Sequence, residues 1–251
     1  MKGVILAGGT GSRLFPLTKV TNKHLLPVYN KPMIYYPIEC MVKAGIDEVL
    51  LVTGGNNAGD FVRLLGNGRE FGLKNLNYTY QDGAGGIAQA LGLAEDFADG
   101  GSIMLILGDN ILQYSIKDAC KKFRHQGQGA KILLSQVENP TAYGVAEMNG
   151  DQVVKIVEKP KEPKTNWAVI GIYFYDGRVF DIVKTLKPSA RNELEITDVN
   201  NAYIERGVME YDVIEGFWGD AGESIEVYYE IIDFVRANGV NKKSNRPAGV
   251  A

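Results

Sequence analysis

The sequence predicts an α/β fold in which a mixed, mostly parallel sheet is flanked by helices, with an inserted antiparallel lobe. Short, continuous hydrophobic runs of strand length alternate with longer amphipathic segments, as expected when both faces of a sheet are covered. A glycine-rich turn directly follows the first of these runs. Because ligands of parallel sheets bind at the carboxyl ends of the strands, we expect a site at this edge.

The first 137 residues carry the alternating pattern. Hydrophobic runs predict strands over residues 4–6, 49–52, 103–107 and 132–134. Apolar residues at helical spacing predict helices over residues 34–44, 59–65, 87–98 and 116–126. This order indicates βαβ units with right-handed crossovers.

The pattern changes after residue 137. Asn149-Gly150-Asp151 separates two strand-like segments, which is a hairpin signal. The predicted elements of this part are strands over residues 145–148, 153–157 and 168–175, and helices over residues 177–185, 196–206 and 224–237. Since no repeat or linker interrupts the chain, we expect one domain over residues 1–240. Residues 241–251 form a polar stretch broken by Pro247 and Gly249, which predicts a flexible tail.

Composition limits the classes of partner. The 27 basic and 30 acidic residues give a net charge of -3, so electrostatics do not favour a nucleic acid. No apolar run approaches the roughly 18 residues that span a bilayer. The two cysteines, Cys40 and Cys120, are too few for a metal cluster or a disulfide framework. We therefore expect a cytoplasmic protein with no nucleic-acid or membrane partner.

Glycine is enriched, at 30 of 251 residues, and three glycines follow the first predicted strand: Gly8, Gly9 and Gly11. Backbone N–H groups of such a turn can converge on phosphate oxygens, and Arg13 can add a charge-assisted fork. The dinucleotide fingerprint does not fit, because Leu14 stands where it needs glycine, and no G-K-[ST] of a P-loop occurs. A tight strand-to-helix turn without a ligand is the alternative.

Two charged residues extend this candidate site. Lys23 alone would be an ordinary surface lysine, but beside the glycine-rich turn it is a second candidate phosphate ligand. Asp109 follows a buried strand and Gly108, and a buried carboxylate must meet a cation or backbone donors. The alternative for Asp109 is a helix cap.

Three motifs make a resemblance specific. Residues 6–14 read L-A-G-G-T-G-S-R-L, residues 23–28 read K-H-L-L-P-V, and residues 31–37 read K-P-M-I-Y-Y-P. With these motifs, the chain resembles the sugar-1-phosphate nucleotidylyltransferases, and among them the short form of the glucose-1-phosphate thymidylyltransferases, to about residue 237. The resemblance implies a Rossmann-like, GT-A-like nucleotidyltransferase fold. It implies a nucleotide-binding part over residues 1–137 and a sugar-binding part over residues 138–240.

The implied reaction is Mg²⁺-dependent transfer of a thymidylyl group from dTTP to glucose 1-phosphate, giving dTDP-glucose and pyrophosphate for rhamnose-type dTDP-sugar and polysaccharide biosynthesis. The same chemistry with UTP or another sugar 1-phosphate is the alternative, and a homo-oligomer is left open. A glycosyltransferase with a related sheet would need a D-x-D metal motif, and none suits that role. A non-catalytic nucleotide-sugar sensor would have lost the charged residues that are present here.

The resemblance also assigns residues to roles. Asp109 and Asp220 are the implied metal ligands, and two carboxylates suit an ion that keeps part of its water shell. The implied catalytic residues are Arg13, Lys23, Asp109 and Lys159. The implied nucleotide-binding residues are Leu6, Gly8, Gly9, Thr10, Gly11, Ser12, Arg13, Lys23, Gln81, Gly86 and Asp109. The implied sugar-phosphate-binding residues are Asn110, Tyr143, Gly144, Glu158, Lys159, Val169 and Arg191.

Among the positions that depart from the family's pattern are Asn192, Gly219 and Glu223. Asn192 replaces a glycine, and because Asn tolerates left-handed backbone, we expect the turn there to survive. Gly219 and Glu223 flank Asp220, where relatives have bulkier or hydroxyl residues. Glu223 is therefore expected to add negative charge near the metal. A phosphate monoester is largely ionised at neutral pH, so the chemistry requires no histidine, and we expect His24 and His125 to be structural and solvated, respectively.

Overall fold

The structure is a computed structural model and describes residues 1–243. Its strands are β1 (Lys2–Ala7), β2 (Pro27–Val28), β3 (Lys31–Pro32), β4 (Glu48–Gly54), β5 (Asn75–Gln81), β6 (Ile103–Leu107), β7 (Asn110–Leu112), β8 (Ala130–Gln136), β9 (Gly144–Asn149), β10 (Gln152–Glu158), β11 (Trp167–Tyr175), β12 (Met209–Val213) and β13 (Trp218–Asp220). Its helices are α1 (Tyr35–Lys43), α2 (Ala58–Leu65), α3 (Ile87–Gly92), α4 (Glu95–Ala98), α5 (Lys117–Gln126), α6 (Val179–Thr185), α7 (Ile196–Glu205) and α8 (Ile225–Asn238).

The central sheet is mixed and mostly parallel, which confirms the predicted fold class. Its strands run in the order β5-β4-β1-β6-β11-β8-β12, and β11 is antiparallel to both of its neighbours. The pairs β4–β5, β1–β4, β1–β6 and β8–β12 are parallel. The predicted hairpin is the antiparallel pair β9–β10, and β9 pairs with the start of β11. The inserted antiparallel lobe therefore lies beside β11.

Hydrophobic cores cover both faces of this sheet. Consecutive residues of a strand point to opposite faces, and Val4 and Ile5 of β1 accordingly belong to different cores. The core that contains Val4 is completed by α3, α6 and α7, and the core that contains Ile5 by α1, α2 and α5. A third cluster joins the segment after β1 to α8, through residues such as Leu14 and Tyr228. Burial on both faces explains why the strands read as continuous hydrophobic runs.

The strand order reverses beside β1. From β1 the chain continues to β4 and β5 on one side, and then returns to β6 on the other side. Gly8 follows β1 and Asp109 follows β6, so the glycine-rich turn and the predicted metal ligand meet where this reversal opens a crevice. The backbone N–H of Gly108 donates to the Leu6 carbonyl over 2.8 Å, which extends the contact between the two strand ends.

Some elements differ from the prediction. The single helix predicted over residues 87–98 is two helices, α3 and α4, and α3 ends at Gly92, where a Cβ would lie 3.3 Å from Val183 of α6. The strands β7 and β13 were not predicted; they form a separate antiparallel pair in which Asn110 faces Asp220. The edge strand β12 was not predicted either.

The predicted tail begins with two residues that contact the fold. Asn241 is buried, and its N–H donates to the Leu112 carbonyl over 2.9 Å. The N–H of Lys242 donates to the Gln113 carbonyl over 2.8 Å. These two residues thus extend the β7 region, and residues 244–251 of the predicted tail lie outside the described residues. Within residues 1–243, no helix has the length and apolarity to cross a membrane.

Candidate active site

A cleft of about 340 Å³ lies at the ends of the central strands, and most of the predicted site residues line it. From the nucleotide set these are Leu6, Gly8, Gly9, Arg13, Lys23, Gln81, Gly86 and Asp109. From the sugar and metal sets they are Asn110, Tyr143, Gly144, Glu158, Lys159, Val169, Arg191 and Asp220. Thr10, Gly11 and Ser12 are not among the lining residues, and Thr10 and Ser12 are exposed beside the cleft.

The glycine-rich turn has a backbone path that requires glycine at two positions. Gly9 and Gly11 have φ values of 91° and 63°, in the left-handed region that side chains disfavour. Thr18 Oγ1 donates to the Gly11 carbonyl over 2.8 Å, which holds the turn closed. The chain then enters a short 3-10 turn, Ser12–Leu14, whose buried Leu14 anchors it while Arg13 reaches the cleft.

Lys23 and Asp109 form an ion pair at the centre of the cleft. Their side chains are 14% and 6% exposed. Burial disfavours the charged forms of both side chains. The attraction between the opposite charges outweighs this effect. The Lys23 ammonium lowers the pKa of Asp109 below its ordinary value, and the carboxylates of Asp109 and Asp220 raise the pKa of Lys23. Both groups are therefore charged at neutral pH.

Asp220, the last residue of β13, lines the cleft together with Lys23 and Asp109. The N–H of Ala221 donates to the Asp109 carbonyl over 2.9 Å, and Asp220 Oδ1 accepts a 2.8 Å hydrogen bond from the N–H of Gly222. Burial and the neighbouring Asp109 carboxylate raise the pKa of Asp220. Two acidic side chains from segments far apart in sequence thus lie side by side.

Gly222 borders the space between the two carboxylates. A Cβ on Gly222 would lie 2.7 Å from Asp109 Oδ2 and 3.3 Å from Asp220 Oδ1. The part of the chain that the structure describes contains no cluster of three or more His, Cys, Asp or Glu side chains suited to a metal. Two carboxylates around a space kept open by glycine fit Mg²⁺, which binds one or two carboxylates together with water and phosphate oxygens.

Asn110 supports Asp109 from the side. Its Nδ2 donates to Asp109 Oδ1 over 3.1 Å, while its Oδ1 accepts from Trp218 Nε1 over 2.7 Å and from the N–H of Gly171 over 3.1 Å. The two donors on the oxygen fix which way the amide points. Asn110, which is predicted to bind the sugar phosphate, thus donates one hydrogen bond and accepts two within the protein.

Tyr143 and Trp218 form the adjoining wall of the cleft. Their rings meet edge to face with centroids 5.2 Å apart, and Tyr143 Oη donates to Glu223 Oε2. Glu223 was expected to add charge near the metal, and the structure pairs its carboxylate with the Tyr143 hydroxyl. Burial and this hydrogen bond raise the pKa of Tyr143, so the phenol stays protonated.

The side of the cleft lined by the predicted sugar-phosphate residues is rich in paired charges. Glu158, at the end of β10, accepts from Thr197 Oγ1 over 2.6 Å and from Arg191 Nη2 over 3.2 Å. Arg191 also donates through Nε and Nη2 to both carboxylate oxygens of Glu195, over 3.1 and 2.7 Å. The Arg191 guanidinium is therefore held by carboxylates on two elements.

Lys159 is the more available cation on this side. Its side chain is 43% exposed, and Nζ lies 3.9 Å from Glu158 Oε1. Its φ of 44° is unusual for a residue with a side chain and is followed by Pro160. The Lys159 N–H donates to the Tyr143 carbonyl over 2.9 Å, which holds this backbone at the cleft.

The turn before α7, which contains Asn192 and Leu194, is joined to the loop after β5. The Leu194 N–H donates to the Gly85 carbonyl over 2.8 Å, and the Leu194 carbonyl accepts from Ala88 N–H over 3.1 Å. Gly86 has a φ of 95°, and a Cβ there would lie 2.5 Å from the Leu194 carbonyl. In the same turn Asn192 has a φ of 59°, so Asn takes the left-handed conformation as predicted.

His24 lines the cleft, whereas His125 does not. His24 is buried, and burial together with the Lys23 ammonium lowers its pKa to about 3. Its Nδ1 lies 2.7 Å from Asn22 Oδ1, and its ring packs against Gly108. His125 is exposed near the end of α5. The structural role expected for His24 agrees with these contacts.

Several residues that line the cleft carry no recognisable signal in the sequence. They include Leu107, Ala142, Tyr173, Thr197, Asn200 and Trp218. Trp218 lies in β13, the strand that carries Asp220. The others lie on strands, helices or turns whose local pattern indicates burial rather than ligand contact, so only the tertiary fold identifies them.

A glycine-rich turn beside a Lys–Asp pair and a second carboxylate is suited to nucleotidyl transfer, and the comparison with known proteins agrees. Residues 2–238 match the family model described as nucleotidyl transferase, which defines the class of the protein. A curated glucose-1-phosphate thymidylyltransferase from Neisseria meningitidis serogroup A is 45% identical over 240 residues, which cover 94% of this chain and 83% of that protein. The chain therefore belongs to the glucose-1-phosphate thymidylyltransferase family.

Solved structures have the same fold. A Bacillus anthracis protein assigned as a glucose-1-phosphate thymidylyltransferase and solved with sucrose is 50% identical, with a TM-score of 0.90 and coverage of 94% of this chain and 95% of that chain. A UDP-glucose pyrophosphorylase solved with UDP-glucose is 25% identical, with a TM-score of 0.83 and coverage of 94% and 98%.

Proposed function

We propose that the chain transfers a thymidylyl group from dTTP to glucose 1-phosphate in a Mg²⁺-dependent reaction, producing dTDP-glucose and pyrophosphate. The observation that carries this proposal is the convergence of Lys23, Asp109 and Asp220 beside the glycine-rich turn. Relatives at 45% and 50% identity bear the name of this activity.

The two substrates occupy the two sides of the cleft. The nucleotide lies against the part formed by residues 1–137, with its base near Gln81 and Gly86 and its phosphates near Gly8, Gly9 and Arg13. The sugar phosphate lies against the part formed by residues 138–240. There Glu158 and the Gly144 N–H bind hydroxyl groups, Val169 contacts the ring, and Lys159 and Arg191 bind the phosphate. The cleft lined by both sets supports this arrangement.

Asp109 and Asp220 are the residues that would hold Mg²⁺. When bound, the ion supplies positive charge against phosphate oxygens. Lys23 keeps Asp109 ionised, since its ammonium lowers the pKa of that carboxyl. Asn110 and Trp218 hold the Asp109 carboxylate in one orientation.

The reaction forms one O–P bond and breaks another. A phosphate oxygen of glucose 1-phosphate attacks the α-phosphorus of dTTP, and the bond from that phosphorus to the bridging oxygen breaks as pyrophosphate leaves. Because a phosphate monoester has its second pKa near about 6, the nucleophile is already ionised and needs no general base. The residues of the chain therefore align two anions and compensate their charge, with Arg13 and Lys23 at the triphosphate and Lys159 at the sugar phosphate.

A pyrophosphate-release assay tests the proposal. Purified protein is incubated with Mg²⁺, four nucleoside triphosphates in turn, and several hexose 1-phosphates. Rapid release with dTTP and glucose 1-phosphate is the expected result, and absence of release would refute the function. Equal rates with dTTP and UTP would retain the chemistry but reject thymidylyl specificity. The likeness to a UDP-glucose pyrophosphorylase makes UTP the most informative competitor.

A further inference from the structure

The side-chain amide of Gln81 is held in one orientation at the end of β5. Its Nε2 donates to the Gly86 carbonyl over 3.2 Å and to Gln89 Oε1 over 2.8 Å. Because a backbone carbonyl can only accept, the Gln81 atom that faces Gly86 is the NH₂ group. Both hydrogen atoms of that group are thereby used within the protein.

The amide oxygen of Gln81 is left for a ligand. It points towards Gly8, where a Cβ would lie 3.1 Å from Oε1, and both residues line the cleft. Among residues 1–243, no described group donates a hydrogen bond to this oxygen. Gln81 therefore presents an acceptor to the cleft, although a free glutamine could present either a donor or an acceptor.

The Gln89 side chain fills a space that is free because residue 85, in the loop after β5, is a glycine. Gln89 lies in α3, and its amide sits where a Cβ on Gly85 would stand, so any side chain at position 85 would overlap it. The Gly85 carbonyl is held by the N–H of Leu194, which prevents the loop from moving aside freely. The position of the Gln89 amide thus depends on the glycine at position 85. The Gln89 amide in turn fixes the orientation of the Gln81 amide by accepting its hydrogen bond.

An acceptor at this position discriminates between pyrimidines. Thymine and uracil carry a donor at N3, whereas cytosine carries an acceptor there. A buried acceptor that faces another acceptor leaves both unpaired, and sites built around a hydrogen bond reject ligands that cannot make it. dUTP and dCTP have the same size and differ only in this base edge.

We propose that Gln89 is a positioning residue that turns the Gln81 carbonyl oxygen towards the base, so that the cleft selects nucleoside triphosphates with an N3–H donor over dCTP. The proposal rests on the proposed function, because it takes Gln81 as the side chain that meets the base. It adds a specificity role for a residue that is not among those lining the cleft.

The experiment compares dUTP with dCTP in the wild type and three variants. Gln89→Leu removes the acceptor, and Gly85→Ala displaces the Gln89 amide. Gln89→Glu is the matched control, since its carboxylate still accepts from Gln81 Nε2. kcat/KM is measured by pyrophosphate release with glucose 1-phosphate, and the affinity for each nucleotide is measured separately by calorimetry without the sugar phosphate.

In Gln89→Leu, the ratio of dUTP to dCTP in both kcat/KM and affinity is expected to fall about 10-fold or more. Gly85→Ala is expected to change the ratio in the same direction, and Gln89→Glu to keep it within about threefold of the wild type. If Gln89 had a purely structural role, its substitution would lower kcat/KM and affinity for dUTP and dCTP by the same factor. The proposal is overturned if Gln89→Leu or Gly85→Ala melts near the wild-type temperature and keeps the wild-type ratio.

The proposed function and the proposed role of Gln89 can be refuted separately. If the wild type releases no pyrophosphate from dTTP and glucose 1-phosphate, the proposed function is refuted, and the calorimetric ratios still test the role of Gln89. If the wild type is active and the ratio is unchanged in folded variants, only the role of Gln89 is refuted.

Discussion

Asn110 faces Asp220 across the antiparallel pair of β7 and β13, and this pairing brings the Asp220 carboxylate beside that of Asp109. The two strands have three residues each. The pair is short, but all three residues of β7 are buried, and it holds the segment that carries Asp220 against the segment that follows Asp109.

Asp220→Asn tests the metal site directly. The amide cannot supply the second negative charge, so we expect kcat to fall about 100-fold or more and the affinity for divalent metal to fall with it. Mn²⁺ binding followed by electron paramagnetic resonance provides a readout that does not depend on turnover. Asp181→Asn, at an exposed position of α6, is the control and should behave as the wild type. Unchanged Mn²⁺ affinity in Asp220→Asn would exclude Asp220 as a ligand.

Gly222→Ala tests the space between the carboxylates. The added methyl group would lie 2.7 Å from both Asp109 Oδ2 and Lys23 Nζ, so at least one must move. We expect kcat/KM to fall about 100-fold while the melting temperature changes little. The matched control is Gly59→Ala in α2, where a Cβ would meet no atom within 4 Å. Full activity of Gly222→Ala would show that the site tolerates a methyl group beside the carboxylates and does not require glycine at position 222.

Trp218→Phe tests the support of Asn110. The substitution keeps an aromatic ring against Tyr143 but removes the N–H that donates to Asn110 Oδ1 over 2.7 Å. Loss of one such hydrogen bond corresponds to about 1 kcal/mol, so kcat should fall about five- to tenfold and the apparent metal affinity should weaken. Trp167→Phe, in β11, serves as the control and is expected to retain activity. A fall of the same size in Trp167→Phe would attribute the effect to general loss of aromatic packing.

Asp176→Asn tests a buried carboxylate away from the cleft. Asp176 Oδ2 accepts from the Gly129 N–H over 2.6 Å and from Arg178 Nε over 2.9 Å, and its Oδ1 accepts from Tyr203 Oη over 2.8 Å. The amide cannot accept all of these bonds, so the free energy of unfolding at pH 7 should fall by about 2 kcal/mol. Urea denaturation measures this difference.

The same residue predicts a pH dependence. Burial alone would raise the pKa of Asp176, but the hydrogen bonds from Arg178, Gly129 and Tyr203 lower it below its ordinary value of 3.8. Its stabilising contribution is therefore complete above about pH 4 and is lost as the pH falls through the lower pKa of the folded state. The wild type should lose stability in this acid range more steeply than Asp176→Asn. Parallel pH profiles would contradict the assignment.

The fold could be predicted where burial leaves a pattern in the sequence. β1, β4, β6 and β8 are covered on both faces, so they read as hydrophobic runs. β12 was missed because it lies at the edge of the sheet and carries Glu210 and Asp212, which pair with Lys131 of β8. β7 and β13 were missed because three residues are too few to show a period.

The site could be predicted where its residues follow strands. Gly8, Asp109 and Gln81 all stand at or just after strand ends, where backbone must approach a ligand. The hydrogen bond from Trp218 to Asn110 could not be predicted, since it depends on a pairing between segments 108 positions apart. The orientation of the Gln81 amide likewise depends on Gln89 and Gly86, which the sequence places nearby without showing which atoms meet.

The ion pair of Lys23 and Asp109 joins positions 86 residues apart, and Asp220 comes from a strand still further along the chain. The proposed catalytic centre therefore has a high contact order, and loop closure over most of the chain must precede its assembly. A fragment that ends at residue 137 lacks Asp220, and a fragment that begins at residue 138 lacks Lys23 and Asp109. Neither of the two proposed substrate-binding parts therefore contains all three charged residues, and turnover requires both parts to be folded together.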